Sequence, residues 1–182
     1  MADVLNRSTK ELRRSQHAPA YDPSEWIVSP DLSAVAGVPQ SRWIIDGDSI
    51  RPPDAGETAA FDAADLAAAK EAKINAINAK TGQLIESGSV IINGVSISTA
   101  LTNQVSLQAI DALVSKGLTT WPQPISAIDG TSYAITSLND FNRVAGIVAT
   151  FVMTTKAVGR MLRAQVLAAD SIAAVSAVED NR

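Results

Sequence analysis

The chain has 182 residues, 46% of them hydrophobic, a formal net charge of −4 and one histidine. It has no cysteine, which excludes disulfides, thiolate catalysis and cysteine-based zinc sites. The mild acidity gives no general case for nucleic acid, whose phosphates call for clustered Lys and Arg.

Aromatics are only 4% of the chain, and much of the apolar share is alanine. Alanine favours helix but buries little area, which points to helices that finish burying themselves against a partner. The length allows one compact domain or two small ones. Residues 1–20 carry Arg7, Lys10, Arg13 and Arg14 against Asp3 and Glu11, whereas residues 21–70 are acidic. A basic segment ahead of an acidic body reads as an arm that docks elsewhere, with a solvated terminus as the plain alternative. No apolar h-region opens the chain, so no signal peptide is expected. The longest apolar run, 144–153, is shorter than the roughly 20 residues that span a bilayer, so no membrane is expected either.

Taken in order, residues 1–53 read as an extended N-terminal attachment arm. Pro19, Pro23, Pro30, Pro39, Pro52 and Pro53 interrupt helix and sheet alike. The exception is a hairpin near 42–50. With a turn at Asp46-Gly47, Ile45 would pair with Asp48 and Trp43 with Ile50. Residues 57–86 read as an alanine-rich helix that Thr58 could cap. Phe61, Leu66, Ile74, Ile77 and Leu84 form its thin stripe, Gly82 is a place for it to end or fray, and Gly88 stops it.

Asn93-Gly94 then signals a second hairpin, with Ile92 facing Val95 and Val90 facing Ile97, and Ile91 and Ser96 pointing the other way. Residues 102–116 read as a short helix with Val105, Leu107, Ile110, Leu113 and Val114 inward and Gly117 as its stop. A third hairpin centres on Asp129-Gly130, with Ile128 opposite Thr131 and Ser126 opposite Tyr133. A long helix follows from Ser137, an N-cap with Asp140 three residues on.

That last helix carries a heptad seam. Val144, Val148, Phe151, Thr155, Val158, Leu162, Gln165, Ala169 and Ile172 alternate spacings of four and three, the pattern of an oligomer interface. Thr155 and Gln165 are polar positions that can set register. Ile147, Val152, Met161, Val166 and Leu167 widen the stripe, which suits a trimer or larger bundle better than a dimer. Packing on the chain's own hairpins is the alternative.

Chemistry is sparse. His17 stands alone in the proline-rich segment, so triads, dyads and histidine-based metal sites cannot assemble within one chain. No GxGxxG, Walker A or GxSxG pattern occurs. Asp46 and Asp48 flank a turn glycine, and turn chemistry accounts for Asp46. Asn6-Arg7-Ser8 is a formal glycosylation sequon that an unsecreted protein would not use. No cofactor, metal or catalytic residue is assigned, and no enzyme activity is expected. Arg13 and Arg14, with Tyr21, Trp26 and Trp43, are the candidate partner-docking residues, because aromatics bury large area at low entropic cost. These rings could equally fold back on the chain itself.

Two stretches carry a family resemblance. The first comprises Asn6-Arg7-Ser8-Thr9-Lys10, Trp26 through Val35, Gly37-Val38-Pro39, Trp43 and Gly47-Asp48. It resembles an N-terminal block of phage virion and tail-fibre-associated proteins. The second runs over 70–175, with Ile74-Asn75-Ala76, Val95 after Asn93-Gly94, Trp121, Asp129-Gly130 and the long alanine-rich final helix. It resembles an uncharacterised domain of phage tail-fibre and fibre-assembly-like proteins. Ile97 stands where that domain has an aromatic, and the final helix lacks its histidine. No catalytic residues carry over.

The resemblance implies phage origin, a place in the virion or its assembly, and other particle proteins as partners. The fold expected is α+β, mainly helical. An extended arm over 1–53 precedes an oligomerisation body over 54–182, built as helix, hairpin, helix, hairpin and long C-terminal helix with a coiled-coil-like seam. The function expected is a homo-oligomeric virion adaptor or fibre-like component. A fibre-assembly chaperone, absent from the finished particle, is the alternative; a small lytic enzyme is the remoter one.

Overall fold

The structure, a computed structural model, describes residues 2–15 and 21–182. It is α+β and mainly helical, and it divides into two compact units, Met1–Asp65 and Leu66–Arg182.

The first unit corrects the expectation of an extended arm. Strands β1 (Ala2–Asn6), β2 (Leu12–Ser15) and β3 (Trp26–Val28) form an antiparallel sheet with β1 in the centre. Asn6 makes the first bend, its Oδ1 accepting from the Ser8 and Thr9 N–H groups at 3.0 and 2.8 Å. Side-chain capture of the next backbone donors is how Asn turns a chain. Leu5 and Ile27 pair across β1 and β3 and bury with Val35, Trp43 and Ile50 in one core. Trp43 donates from Nε1 to the Val38 carbonyl at 2.9 Å, satisfying its one polar atom.

The hairpin β4 (Ile44–Asp46) and β5 (Ser49–Arg51) exists, but its register differs from the expected one. Ile45 pairs with Ile50 and Asp46 with Ser49, so Gly47-Asp48 is the turn. Only Gly47 has a positive φ, at +60°. That is the type II′ arrangement, with glycine first. Arg7 holds this turn, donating to the Gly47 carbonyl and pairing with Asp48.

Helix α1 (Ala55–Glu86) starts with a reciprocal capping box, which replaces the expected Thr58 cap. The Glu57 N–H donates to Asp54 Oδ1 at 2.8 Å, and the Asp54 N–H to Glu57 Oε2 at 2.9 Å. Arg42 pairs with Asp62 and Asp65 and lies over the Phe61 ring, fastening the first turns of α1 to their own unit. The helix continues through Gly82 without ending. The unit boundary falls within it.

In the second unit, hairpin β6 (Ser89–Ile92) and β7 (Val95–Ser98) has the expected pairs, Ile92 with Val95 and Val90 with Ile97. Ile91 points outward at 76% exposure. Asn93 and Gly94 both take positive φ, as a type I′ turn requires. Hairpin β8 (Gln123–Ser126) and β9 (Ser132–Ile135) is shifted from expectation: Ser126 pairs with Ser132 and Ile125 with Tyr133. Its loop spans three residues, 128–130, because the Ala127 N–H donates to the Thr131 carbonyl and Gly130 takes φ +84°. The three-residue hairpin with a left-handed last position is the common next choice after the two-residue turn.

Helix α2 (Leu101–Ser115) ends in a Schellman arrangement. The Gly117 N–H bonds to the Val114 carbonyl and the Leu118 N–H to that of Leu113. Leu107 and Ile110 are buried, but Val105 is 53% exposed and Leu113 is also exposed, against expectation. The inward line is instead Asn103, Leu107, Ile110 and Val114. Asn103 ties α2 to both hairpins: Nδ2 donates to the Ser98 and Ser126 carbonyls at 2.9 and 2.7 Å, and Oδ1 accepts from the Ser126 N–H at 3.1 Å.

Helix α3 (Leu138–Ala168) begins at Ser137, whose Oγ accepts from the Asp140 N–H at 3.2 Å. Its first half covers the hairpin core. Its second half packs along α1 with Ile77, Leu162 and Val166, joined by Val175 of the short helix α4 (Ile172–Ser176). Gly159 makes the close contact between the long helices. A Cβ there would lie 2.7 Å from Thr81 Oγ1 and 3.2 Å from Arg182 Nη1. The Arg182 guanidinium closes one side, donating to Thr81 Oγ1 at 3.0 Å and to the Thr155 carbonyl at 3.1 Å while paired with Asp180.

Candidate interaction surfaces

The expected seam splits between two roles. Val144 and Val148 are buried beneath the hairpins, and Leu162 is buried against α1. These three have no surface left to offer another chain, which corrects their assignment to an inter-chain seam. Phe151, Thr155 and Val158 are half-buried. Thr155 satisfies its own hydroxyl on the Phe151 carbonyl four residues back, at 2.9 Å. Gln165 is exposed. Ala169 is the C-cap of α3, and Ile172 lies beyond it in α4, so neither continues the helical line.

The opposite face of α3 is the one left open. Gly146, Thr150, Met153, Ala157, Met161, Ala164 and Ala168 follow one another at spacings of three and four, and all are exposed. Met153 is 68% and Met161 53% exposed, with Ile147 and Leu167 at the flanks. No Asp or Glu follows Asp140 in this helix. Arg143, Lys156, Arg160 and Arg163 are its only cations. This line departs from the strict heptad alternation between Met153 and Met161, where two spacings of four follow one another; packing decides which of the two lines turns inward.

Beside this face, α2 and α3 enclose a groove of about 410 Å³, with Leu107, Phe141, Val148 and Val152 among its lining. Gln104, Gln108, Asp111 and Asn142 give it polar positions.

Of the candidate docking residues, three meet. Tyr21 and Trp26 meet at a tilt of 52° with ring centroids 5.1 Å apart, and the Arg13 guanidinium lies 5.3 Å from the Trp26 ring. Arg13 also makes a two-point bond to Glu11, at 2.8 and 2.9 Å. Each partner shifts the other: the Glu11 carboxyl is held below its ordinary value and the Arg13 guanidinium above its own. Arg14 is apart from this cluster, paired with Asp3 at 3.2 Å. Trp43 is 8% exposed and belongs to the core, which corrects its assignment as an anchor. His17 lies outside the described residues.

A polar network closes the hairpin end of the second unit. Arg143 donates to Asn93 Oδ1 at 2.7 Å and to Asp140 Oδ1 at 2.8 Å, and the Tyr133 hydroxyl donates to Asp140 at 3.0 Å. Burial pushes the Asp140 carboxyl up. The bonds from Arg143, the Thr136 N–H and Tyr133 outweigh it and hold the group below its ordinary value. The network fixes the Asn93 turn and strand β9 to the start of α3; it presents no nucleophile with an adjacent base. Among the described residues no group of three or more His, Cys, Asp or Glu is placed to hold a metal. Asp46 and Asp48 are no pair either, since Asp48 is engaged by Arg7.

Comparison of the chain with protein-family models, curated proteins and solved structures returns no match.

Proposed function

We propose that this chain is a homo-oligomeric structural or adaptor component of a phage particle. The observation that carries the oligomer is the outer face of α3, a helix of 31 residues with Met153, Met161 and Leu167 all more than half exposed. Scattered exposed apolar residues are ordinary in a monomer; an ordered stripe along one long helix is the form of an unpartnered surface. The cluster of Ile77, Leu162, Val166 and Val175 beneath it lies between two long helices and one short one. Such a thin layer gains from a second layer of helices. The phage reading is supported by the resemblance of the two residue blocks quoted above. The cluster of Arg13, Tyr21 and Trp26 on the first unit suits a particle-docking contact, with a rigid amphipathic ring at its centre.

Light scattering on the purified chain tests the oligomer. The wild type is expected to form a defined oligomer at micromolar concentration, and Met153→Lys with Met161→Lys to give a folded monomer. A monomeric wild type would sink the reading. A protein census of purified particles tests the location, and separates a virion component from an assembly chaperone left behind in the lysate.

A second reading has an observation of its own. Within α3 an 18-residue window reaches a mean hydropathy of 1.2 and is only 22% buried, so the helix is long and apolar enough to cross a membrane by length and composition alone. The core positions Val144 and Val148 on the same helix favour the soluble arrangement. Flotation of the chain with liposomes would favour the membrane.

A further inference from the structure

The long helices leave a second opening, on the side of Thr81 away from the C-terminal tail. It is a cleft of about 310 Å³ lined by Asn78, Thr81, Lys156, Arg160 and Arg163. We propose that this cleft binds phosphate groups. The inference is independent of the oligomer reading.

Lys156, Arg160 and Arg163 follow one another at i, i+4 and i+7, which places three cations on one edge of α3 within two turns. Like charges at these spacings destabilise a helix, so the fold does not ask for them. The helix dipole does not reward them either, because none lies in the last turn of α3, where a cation is favoured. No carboxylate lines the cleft. Among the described residues, none of the three cations forms an ion pair within 4.0 Å, whereas Arg182 and Lys80 on the tail side both pair with Asp180. The cleft side thus carries three cations with no acidic partner, and the tail side carries two paired ones.

The cleft is also shaped. Arg163 is held across it, its Nη1 donating to Asn78 Oδ1 at 2.5 Å. That leaves the rest of a planar, five-donor fork in a set orientation, the geometry that suits a phosphate better than a point charge does. Lys156 and Arg160 are exposed and free to close over a ligand. Asn78 and Thr81 of α1 form the cleft's opposite wall. Three donors converging on a concave surface fit a compact group of two or more negative charges. A pyrophosphate or a phosphodiester backbone meets that description.

Thermal unfolding in pyrophosphate, set against sodium chloride at equal ionic strength, tests the proposal on the full chain. A ligand excess of about 100-fold over Kd is expected to raise Tm by about 5 °C or more. The Lys156→Gln/Arg160→Gln variant removes two exposed side chains and should keep the wild-type circular dichroism. It should lose the shift, with affinity down about tenfold or more. Lys116→Gln, outside the cleft, should keep it. A labelled single strand of about twelve nucleotides, followed by anisotropy, identifies the source. Binding of either probe that is lost in the double variant supports a phosphate site, and the probe that binds names the carrier. Equal shifts in pyrophosphate and chloride with no oligonucleotide binding, or binding that survives in the double variant, overturns it.

Discussion

Replacing Asn103 by alanine tests the packing of the second unit at its most connected point. Asn103 is 2% exposed and makes three hydrogen bonds, two to carbonyls of separate hairpins and one from the Ser126 N–H. Asn103→Ala removes all three and leaves a cavity at a buried side-chain position beside three partly buried backbone groups. A hydrogen bond lost at a partly buried group costs about 1 kcal/mol, so three imply a loss of about 3 kcal/mol. For a chain of this length that lowers Tm by about 6–12 °C. Urea unfolding followed by circular dichroism measures it, with the exposed Asn142→Ala as control. Asn103→Asp sharpens the test. A carboxylate cannot donate to two carbonyls, so the variant should be weak at neutral pH and recover as the introduced carboxyl protonates. In the folded state that carboxyl has a raised pKa, and stability is therefore regained as pH falls. A loss in Asn103→Ala below about 1 kcal/mol, equal to the control, would refute the reasoning.

Three other outcomes follow from the same contacts. Gly159→Ala puts a Cβ 2.7 Å from Thr81 Oγ1, and chemical denaturation should register a loss of about 1–3 kcal/mol that Thr81→Ala partly relieves. Arg51 first, and the Asp54 N–H, hold the Glu57 carboxyl down to about 2 from 4.5. Arg182 likewise holds Asp180 down to about 2 from 3.8. Both folded-state values are depressed, so their contribution is full above the unfolded values and is lost as pH falls towards 2. Arg182→Gln should flatten that part of the acid-unfolding curve, and an unchanged curve would count against the pairing. Arg143→Gln should loosen the Asn93 turn and strand β9 at Tyr133, read as faster amide exchange there with little change at the first unit.

How much of this was legible in the sequence depended on whether local chemistry or packing decided each element. Asn93-Gly94 fixed its own hairpin because both turn residues demand positive φ. Asp46-Gly47 marked a two-residue turn but not its register, and Asp129-Gly130 marked a turn but not its length. Arg7 reaching the Gly47 carbonyl, and the Ile128 N–H bonding to the Ser96 carbonyl, are tertiary contacts that no dipeptide reveals. Strands β1 to β3 were missed because Leu12-Arg13-Arg14-Ser15 has no alternation, and the prolines between the strands bound them rather than exclude them. The helices were legible from alanine content and periodicity. On α3, two lines along the helix competed, and the hairpins took Val144 and Val148. Asn103 was passed over because polarity suggested a surface position. Its spacing to Leu107 and Ile110 was the signal that placed it inside.

The function proposed for the chain is that of an oligomer residing in a phage particle. Quantitative mass spectrometry of gradient-purified particles, from a lysate in which the chain is produced, tests it most directly. The account predicts peptides of this chain in the particle fraction, at a copy number that is a whole multiple of the oligomer found in solution. A chain abundant in the infected-cell lysate and absent from the particles would contradict it.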